Sequence, residues 1–396
     1  MNTFDDELNQ RLAVLREKGL LRELRRVDSP AGTRIRMAGQ TLLNFSSNDY
    51  LGLANDPLLK EAAIEAVKKF GAGSAAARLI CGSLAPHHEL EEILAQFKGV
   101  EAALSFSTGY ATAIGTIGAV LGKDDLIIID KLVHASIVDA ARLSGAKIRV
   151  FDHNDLDDLE KILKWADRVQ NRSHTLIVTE SVFSMDGDIA PLREMAALKE
   201  KYGAWLMVDE AHATGLYGKN RRGLAEECGV GDRIEIQMGT LGKAVGSAGG
   251  YICGSRKLID LLINRARSFV FSTAPVPASS AAAAAGIRFI QSRAGNARRK
   301  QLFARIAELN LRPASRQPRF PAAILPIIVG DNTKAVDAAA ALRQRGIFAP
   351  AIRYPTVPRG QARLRITLTA AHTRSDVAEL ADALSNLKIQ NPEAGR

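Results

Sequence analysis

The middle of the chain alternates between two patterns. Short runs that are apolar nearly throughout predict buried strands: "LIIID" (126–130), "KIRVFD" (147–152), "HTLIVTES" (174–181), "AWLMVDEA" (204–211), "EIQMGT" (235–240) and "GGYICG" (249–254). Between most of them lie stretches such as "DLDDLEKILKWADRV" and "PLREMAALKEKYG", whose apolar residues recur near the helical period and predict amphipathic helices. Strands with no polar face, separated by helices, specify an α/β fold with a large, mostly parallel sheet covered on both sides. Ligands of such sheets bind beyond the carboxyl ends of the strands, so chemistry is sought at the residues that close each apolar run.

The ends of the chain read differently. Residues 1–50 predict a helical arm and a short strand in "TLLNFSS", and residues 51–285 the large domain. Residues 286–396 predict a smaller α+β domain, entered by a long helical stretch, "AAAAGIRFIQSRAGNARRKQLFARIAEL". A strand in "AAILPIIVGDN", a helix in "TKAVDAAAALRQRG", a strand in "RLRITLTAAH" and a last helix follow, and the tail "KIQNPEAGR" reads as frayed.

Composition narrows the function classes. With 46% hydrophobic and 24% charged residues the chain is globular, and its longest apolar runs are too short and too rich in Ala and Gly to span a bilayer. The charged, helix-patterned start is not a signal peptide, and Cys81, Cys228 and Cys253 lie far apart, so a cytoplasmic protein without a metal site is expected. A formal charge of +10 raises nucleic acid as a partner, but the basic residues are interleaved with acids and aromatics are only 5%. A solvated surface suited to small anions such as phosphates or coenzyme A fits the excess charge equally well, so charge alone does not choose between them.

The strand ends carry the candidate chemistry. "GTLGKAVGSAGG" (239–250) sets Lys243 among glycines just after an apolar run. The spacing is wrong for a P-loop, because only two residues separate Gly239 from Gly242 and Ala244 follows the lysine. A lysine in a restricted, partly dry turn suits covalent chemistry. Asp209 closes "AWLMVD", where it either caps the next element or holds a fixed negative charge toward a cationic ring nitrogen, and His212 follows. His134 and Ser184 stand just beyond two other strands. "SFSTGYATA" offers helix-start amides for a phosphate. "GAGSAA" (71–76) follows a helix rather than a strand, so it is no dinucleotide fingerprint. Lysine, aspartate, an aromatic ring to stack and a phosphate cradle together specify pyridoxal 5'-phosphate.

Long collinear motifs, "NFSSNDYLGL" (44–53), "TESVFSMDGDIAPL" (179–192), "WLMVDEAHATGLYG" (205–218), "GTLGKAVG" and "RYPTVPRGQARLRITLTAAH" (353–372), resemble the α-oxoamine synthases, a family of fold-type-I pyridoxal-phosphate enzymes. The resemblance implies that Lys243 bonds the coenzyme as a Schiff base, Asp209 pairs with its ring nitrogen and His212 with its ring hydroxyl. It implies that His134 stacks on the ring and assists proton transfer, with Thr240, Gly109, Tyr110 and Ser184 as further cofactor contacts. It further implies a homodimer with shared sites, in which Thr273 reaches the phosphate of the second subunit. For substrate the resemblance implies Arg365 on the amino-acid carboxylate, with Arg25, Asn48 and Thr356 nearby, although "RELRR" around Arg25 also reads as a charged helix face. It implies L-alanine and a pimeloyl thioester as substrates; glycine with acetyl-CoA is the alternative. The run Ala75–Ala77 departs from the Gly/Ser-rich loop usual in the family and is expected to narrow or stiffen a loop near the site.

Overall fold

The computed structural model describes residues 3–168, 174–311 and 321–387, so the tail read as frayed lies outside the described residues. The chain opens with the helix Phe4–Glu17, capped by the Thr3 hydroxyl and an answering Asp6 carboxylate. Gly19, at φ +62°, lies just past its end. The segment that follows carries no helix, so Arg25 lies in an exposed, irregular stretch and not on a helix face. Strands β1 (Arg34–Met37) and β2 (Gln40–Asn44) then pair antiparallel around Ala38 and Gly39. Both turn residues have positive φ, as a two-residue hairpin turn requires.

Seven strands form the large sheet: β3 (Ala102–Phe106), β4 (Leu126–Asp130), β5 (Lys147–Phe151), β6 (Thr175–Glu180), β7 (Trp205–Asp209), β8 (Ile236–Thr240) and β9 (Gly250–Gly254). Their order is β3-β9-β8-β7-β6-β4-β5. Neighbours from β8 to β5 are parallel, while β9 runs antiparallel to β8 and to β3. The inner strands are buried along almost their whole length, whereas β5 at the edge exposes Lys147, Arg149 and Val150, the charged kind of edge that resists pairing with another chain. Leu104, Ile127, Ile129, Val178, Met207, Ile236 and Ile252 share one core, each side chain contributing about 1.5–3 kcal/mol by leaving water. Because β4, β6, β7 and β8 run parallel, Asp130, Glu180, Asp209 and Thr240 all end their strands at the same carboxyl end of the sheet.

The long helical stretch near residue 290 is two helices, Pro277–Gln291 and Arg293–Asn310, broken at Ser292. A side chain on Gly295 would sit 2.2 Å from the Phe289 carbonyl oxygen, so the bend between them needs glycine there. Farther on, β10 (Ile324–Gly330), β11 (Ile347–Phe348), β12 (Ala351–Ile352) and β13 (Ala362–Thr367) build two small sheets, β10-β13-β12 and β1-β2-β11. The chain divides into two compact units, one of Asp49–Ser184 and Asp188–Lys300, the other of Met1–Asn48, Met185–Gly187 and Gln301–Arg396. No described helix is long and apolar enough to cross a membrane.

Candidate active site

The unit holding the large sheet brings Lys243, His212 and Tyr50 together. Lys243 Nζ lies 2.6 Å from His212 Nε2, and the Tyr50 hydroxyl lies 2.5 Å from Nδ1 of the same ring. His212 is 5% and Tyr50 1% exposed, so the imidazole is fixed at both nitrogens in a dry setting. The backbone of Lys243 is fixed too: its carbonyl accepts the Gly246 amide at 2.9 Å. Gly246 has φ +78°, and a Cβ there would lie 2.6 Å from Leu53 Cβ. Only glycine lets this turn sit so close to the 53–54 segment. A Cβ on Gly239 would likewise lie 2.3 Å from the Tyr251 hydroxyl. Gly239 and Gly246 therefore serve close packing, whereas a Cβ on Gly242 would meet nothing nearer than 3.5 Å.

Asp209 is 6% exposed and accepts the Ala211 amide at 2.9 Å. Burial raises its pKa above the usual carboxylate range, while the nearby charge of Lys243 and that amide pull the other way. His134 caps the helix Ala135–Ser144, its Nδ1 accepting the Ser136 amide at 3.2 Å and facing the Ser136 hydroxyl at 2.8 Å. Crowding by protein lowers its pKa, with Lys243 adding repulsion against the opposing pull of Asp209, so the ring is neutral near pH 7. Ser184, buried, gives its amide to Glu180 at 3.2 Å.

A second cluster suits an anion. The helix Gly109–Val120 starts at Thr108, whose side chain and carbonyl take the amides of Ala111 and Thr112. As first-turn amides, those of Gly109 and Tyr110 have no acceptor within their own helix, an arrangement that suits an anion. A Cβ on Gly109 would lie 3.8 Å from Thr240 Cβ, so the helix start and the end of β8 adjoin. A Cβ on Gly250 would lie 2.8 Å from Gly109 Cα, which seats the helix start directly on β9. The Tyr110 ring itself is half exposed and its hydroxyl donates to Asp139 at 2.6 Å.

Thr273 is exposed and bridges Ala77 antiparallel. That bridge, the Ala274 amide on the Ala76 carbonyl and the Ser74 hydroxyl on the Pro275 carbonyl at 2.6 Å tie the Ala75–Ala77 loop down, with Ala75 at φ +59°.

The other unit carries the residues matched to substrate. Arg365 is 6% exposed and donates from Nη1 to Asn48 Oδ1 at 3.0 Å and to Thr367 Oγ1 at 2.9 Å. Thr356 accepts from Arg22 at 3.2 Å, and both it and Arg25 are exposed. Sequence reasoning passed over Tyr50, Thr367 and Glu180. Glu180 closes the apolar run "TLIVTE" just as Asp209 closes "WLMVD", and that signal was available.

The donor set fits pyridoxal phosphate: an amine held by an imidazole, a buried carboxylate, a second imidazole and open helix-start amides beside a threonine. The family model described as aminotransferase class I and II matches residues 40–384. A protein of Geotalea daltonii named 8-amino-7-oxononanoate synthase is 47% identical over 399 residues, covering 98% of each chain. Among solved structures, serine palmitoyltransferase from S. paucimobilis with a bound PLP–myriocin aldimine matches with a TM-score of 0.89 at 30% identity, covering 96% of each chain. The 8-amino-7-oxononanoate synthase of Francisella tularensis matches with a TM-score of 0.72 at 29% identity, over 87% of this chain and 97% of that one.

Proposed function

Given that the chain belongs to the aminotransferase class I and II family, we propose that it is a pyridoxal-phosphate-dependent acyltransferase of biotin synthesis. It joins L-alanine to a pimeloyl thioester of coenzyme A or of a carrier protein, releasing 8-amino-7-oxononanoate, CO2 and the thiol. The bound coenzyme supplies an aldehyde that captures amines and a ring that draws electrons from the substrate Cα.

The protein's own residues do the rest. Lys243 holds the coenzyme between turnovers and, once displaced by alanine, takes the Cα proton on Nζ. His212, 2.6 Å from that nitrogen and fixed by Tyr50, sets where the amine waits and donates toward the ring hydroxyl. Asp209 keeps a proton on the ring nitrogen, and His134 covers the ring face and relays protons in its neutral form. The amides of Gly109 and Tyr110, the Thr240 hydroxyl and Ser184 hold the coenzyme. Arg365, aimed by Asn48 and Thr367, grips the alanine carboxylate with a planar fork. Arg25 and Thr356 complete the substrate side. The enzyme works in the cytoplasm as a homodimer, Thr273 of each subunit serving the phosphate of the other; its exposure supports that role.

The Lys243–His212–Tyr50 chain is the observation that carries this reading. Borohydride reduction of the yellow holoenzyme, followed by peptide mass analysis, fixes the coenzyme on Lys243. Thiol release is faster with alanine and pimeloyl-CoA than with glycine and acetyl-CoA. Labelling elsewhere, or the reverse preference, overturns the assignment.

A further inference from the structure

β6 ends on Glu180 and β7 on Asp209, and the two are direct partners in parallel register. Adjacent strands lie about 4.8 Å apart and residues in register point to the same face, so the two carboxyls leave the sheet side by side. Glu180 is 3% and Asp209 6% exposed. Glu180 Oε2 accepts the Ser184 amide at 3.2 Å, while its buried Oε1 has no hydrogen-bond partner among the described residues. Two like charges so placed, out of water, do not both persist: one of them takes up a proton.

We propose that Glu180 is a positioning residue for the reaction proposed above, on which this inference rests: it stays a neutral acid beside Asp209, leaving Asp209 the one anion that faces the coenzyme ring. The groups around the pair decide which carboxyl takes the proton. Burial weighs most on Glu180 and the charge of Asp209 adds to it; Lys243 and the amides of His134 and Ser184 oppose, and its pKa stands at about 8. Asp209 is also pushed up by burial, but the charge of Lys243 and the Ala211 amide favour its charged form. The proton therefore sits on Glu180. A second anion at this spot would make the nitrogen of Lys243 more basic and slower to give up its proton.

The test follows the proton directly. Infrared spectra of the holoenzyme, taken across about pH 6 to 10, show the carbonyl stretch of an un-ionised carboxylic acid that persists well above the usual carboxylate range and fades on the alkaline side. Glu180→Gln lacks that band. Asp209→Asn keeps it but loses it at lower pH, because the neighbouring charge is gone. The visible absorbance of the bound coenzyme titrates more broadly than a one-proton curve in the wild type, and as a one-proton curve displaced to lower pH by about one unit in Glu180→Gln. An unchanged acid band in Glu180→Gln, or superimposable coenzyme titrations, overturns the proposal. If Glu180→Gln does not fold, the midpoint in Asp209→Asn decides, and an unmoved midpoint overturns it. A wild-type protein with no coenzyme absorbance sinks the proposed reaction instead, while the infrared comparison on the protein alone still locates the proton.

Discussion

Asp209 and Glu210 follow one another at the end of β7, and both are withdrawn from solvent. Glu210 is fully answered. It pairs with Lys98 where both side chains are 0% exposed, and it accepts the Ala225 amide at 2.8 Å. Lys98 in turn donates to the Arg222 carbonyl at 2.7 Å. Burial alone would strip the proton from that lysine, but the attraction of Glu210 outweighs it and raises the pKa above the usual lysine range. Asp209 has one backbone amide and pays for its burial with a raised pKa. A buried charge whose partners are complete belongs to the architecture, while one left incomplete is held ready for something else to complete it. Asp130, at the end of β4, stands with Glu210: it takes the Leu132 and Asn154 amides and His153.

The contrast can be broken at several points. Lys98→Met strands the Glu210 charge and costs about 3–5 kcal/mol of stability in chemical denaturation. Asp209→Asn leaves stability unchanged or raised but lowers kcat by about 10²–10³-fold. Equal destabilisation by the two variants would erase the distinction. Gly223, at φ +140°, brings backbone so near that a Cβ would lie 2.3 Å from Glu210 Oε2. Gly223→Ala therefore costs about 2–3 kcal/mol, read as a lowered Tm with coenzyme absorbance retained.

The smallest effect sharpens the comparison through pH. Burial would lower the pKa of His153, but its hydrogen bonds to Asp130 at 3.0 Å and Asp188 at 2.7 Å outweigh that and raise it to about 10. The stability this contributes is complete below the unfolded histidine value of about 6.5 and disappears as pH rises through about 10. His153→Gln is accordingly less stable by about 1–2 kcal/mol at acidic pH, and its deficit closes on the alkaline side. A deficit that does not change with pH would mean the ring acts by packing alone.

What could be read from the chain follows from how local each signal is. β4, β6, β7 and β8 were legible because their runs are apolar on both faces. β3, "AALSF", was not, since two alanines and a serine do not stand out until β9 pairs with them. The antiparallel direction of β9 and the two-residue strands β11 and β12 leave no periodicity to detect. Lys243, Asp209 and His212, which the structure brings close together, stood out in the sequence because they follow apolar runs. Tyr50 did not, because its meaning comes from His212, 162 positions away. Arg25 fell outside a helix because Gly19 had already ended one, a stop signal readable in "REKGL".

The loop that supplies Tyr50 also packs, at Leu53, against the turn at Gly246. One stretch of backbone thus locates both the root of Lys243, through that turn, and its tip, through the imidazole. A shift of that single loop would therefore displace both ends of the lysine side chain together.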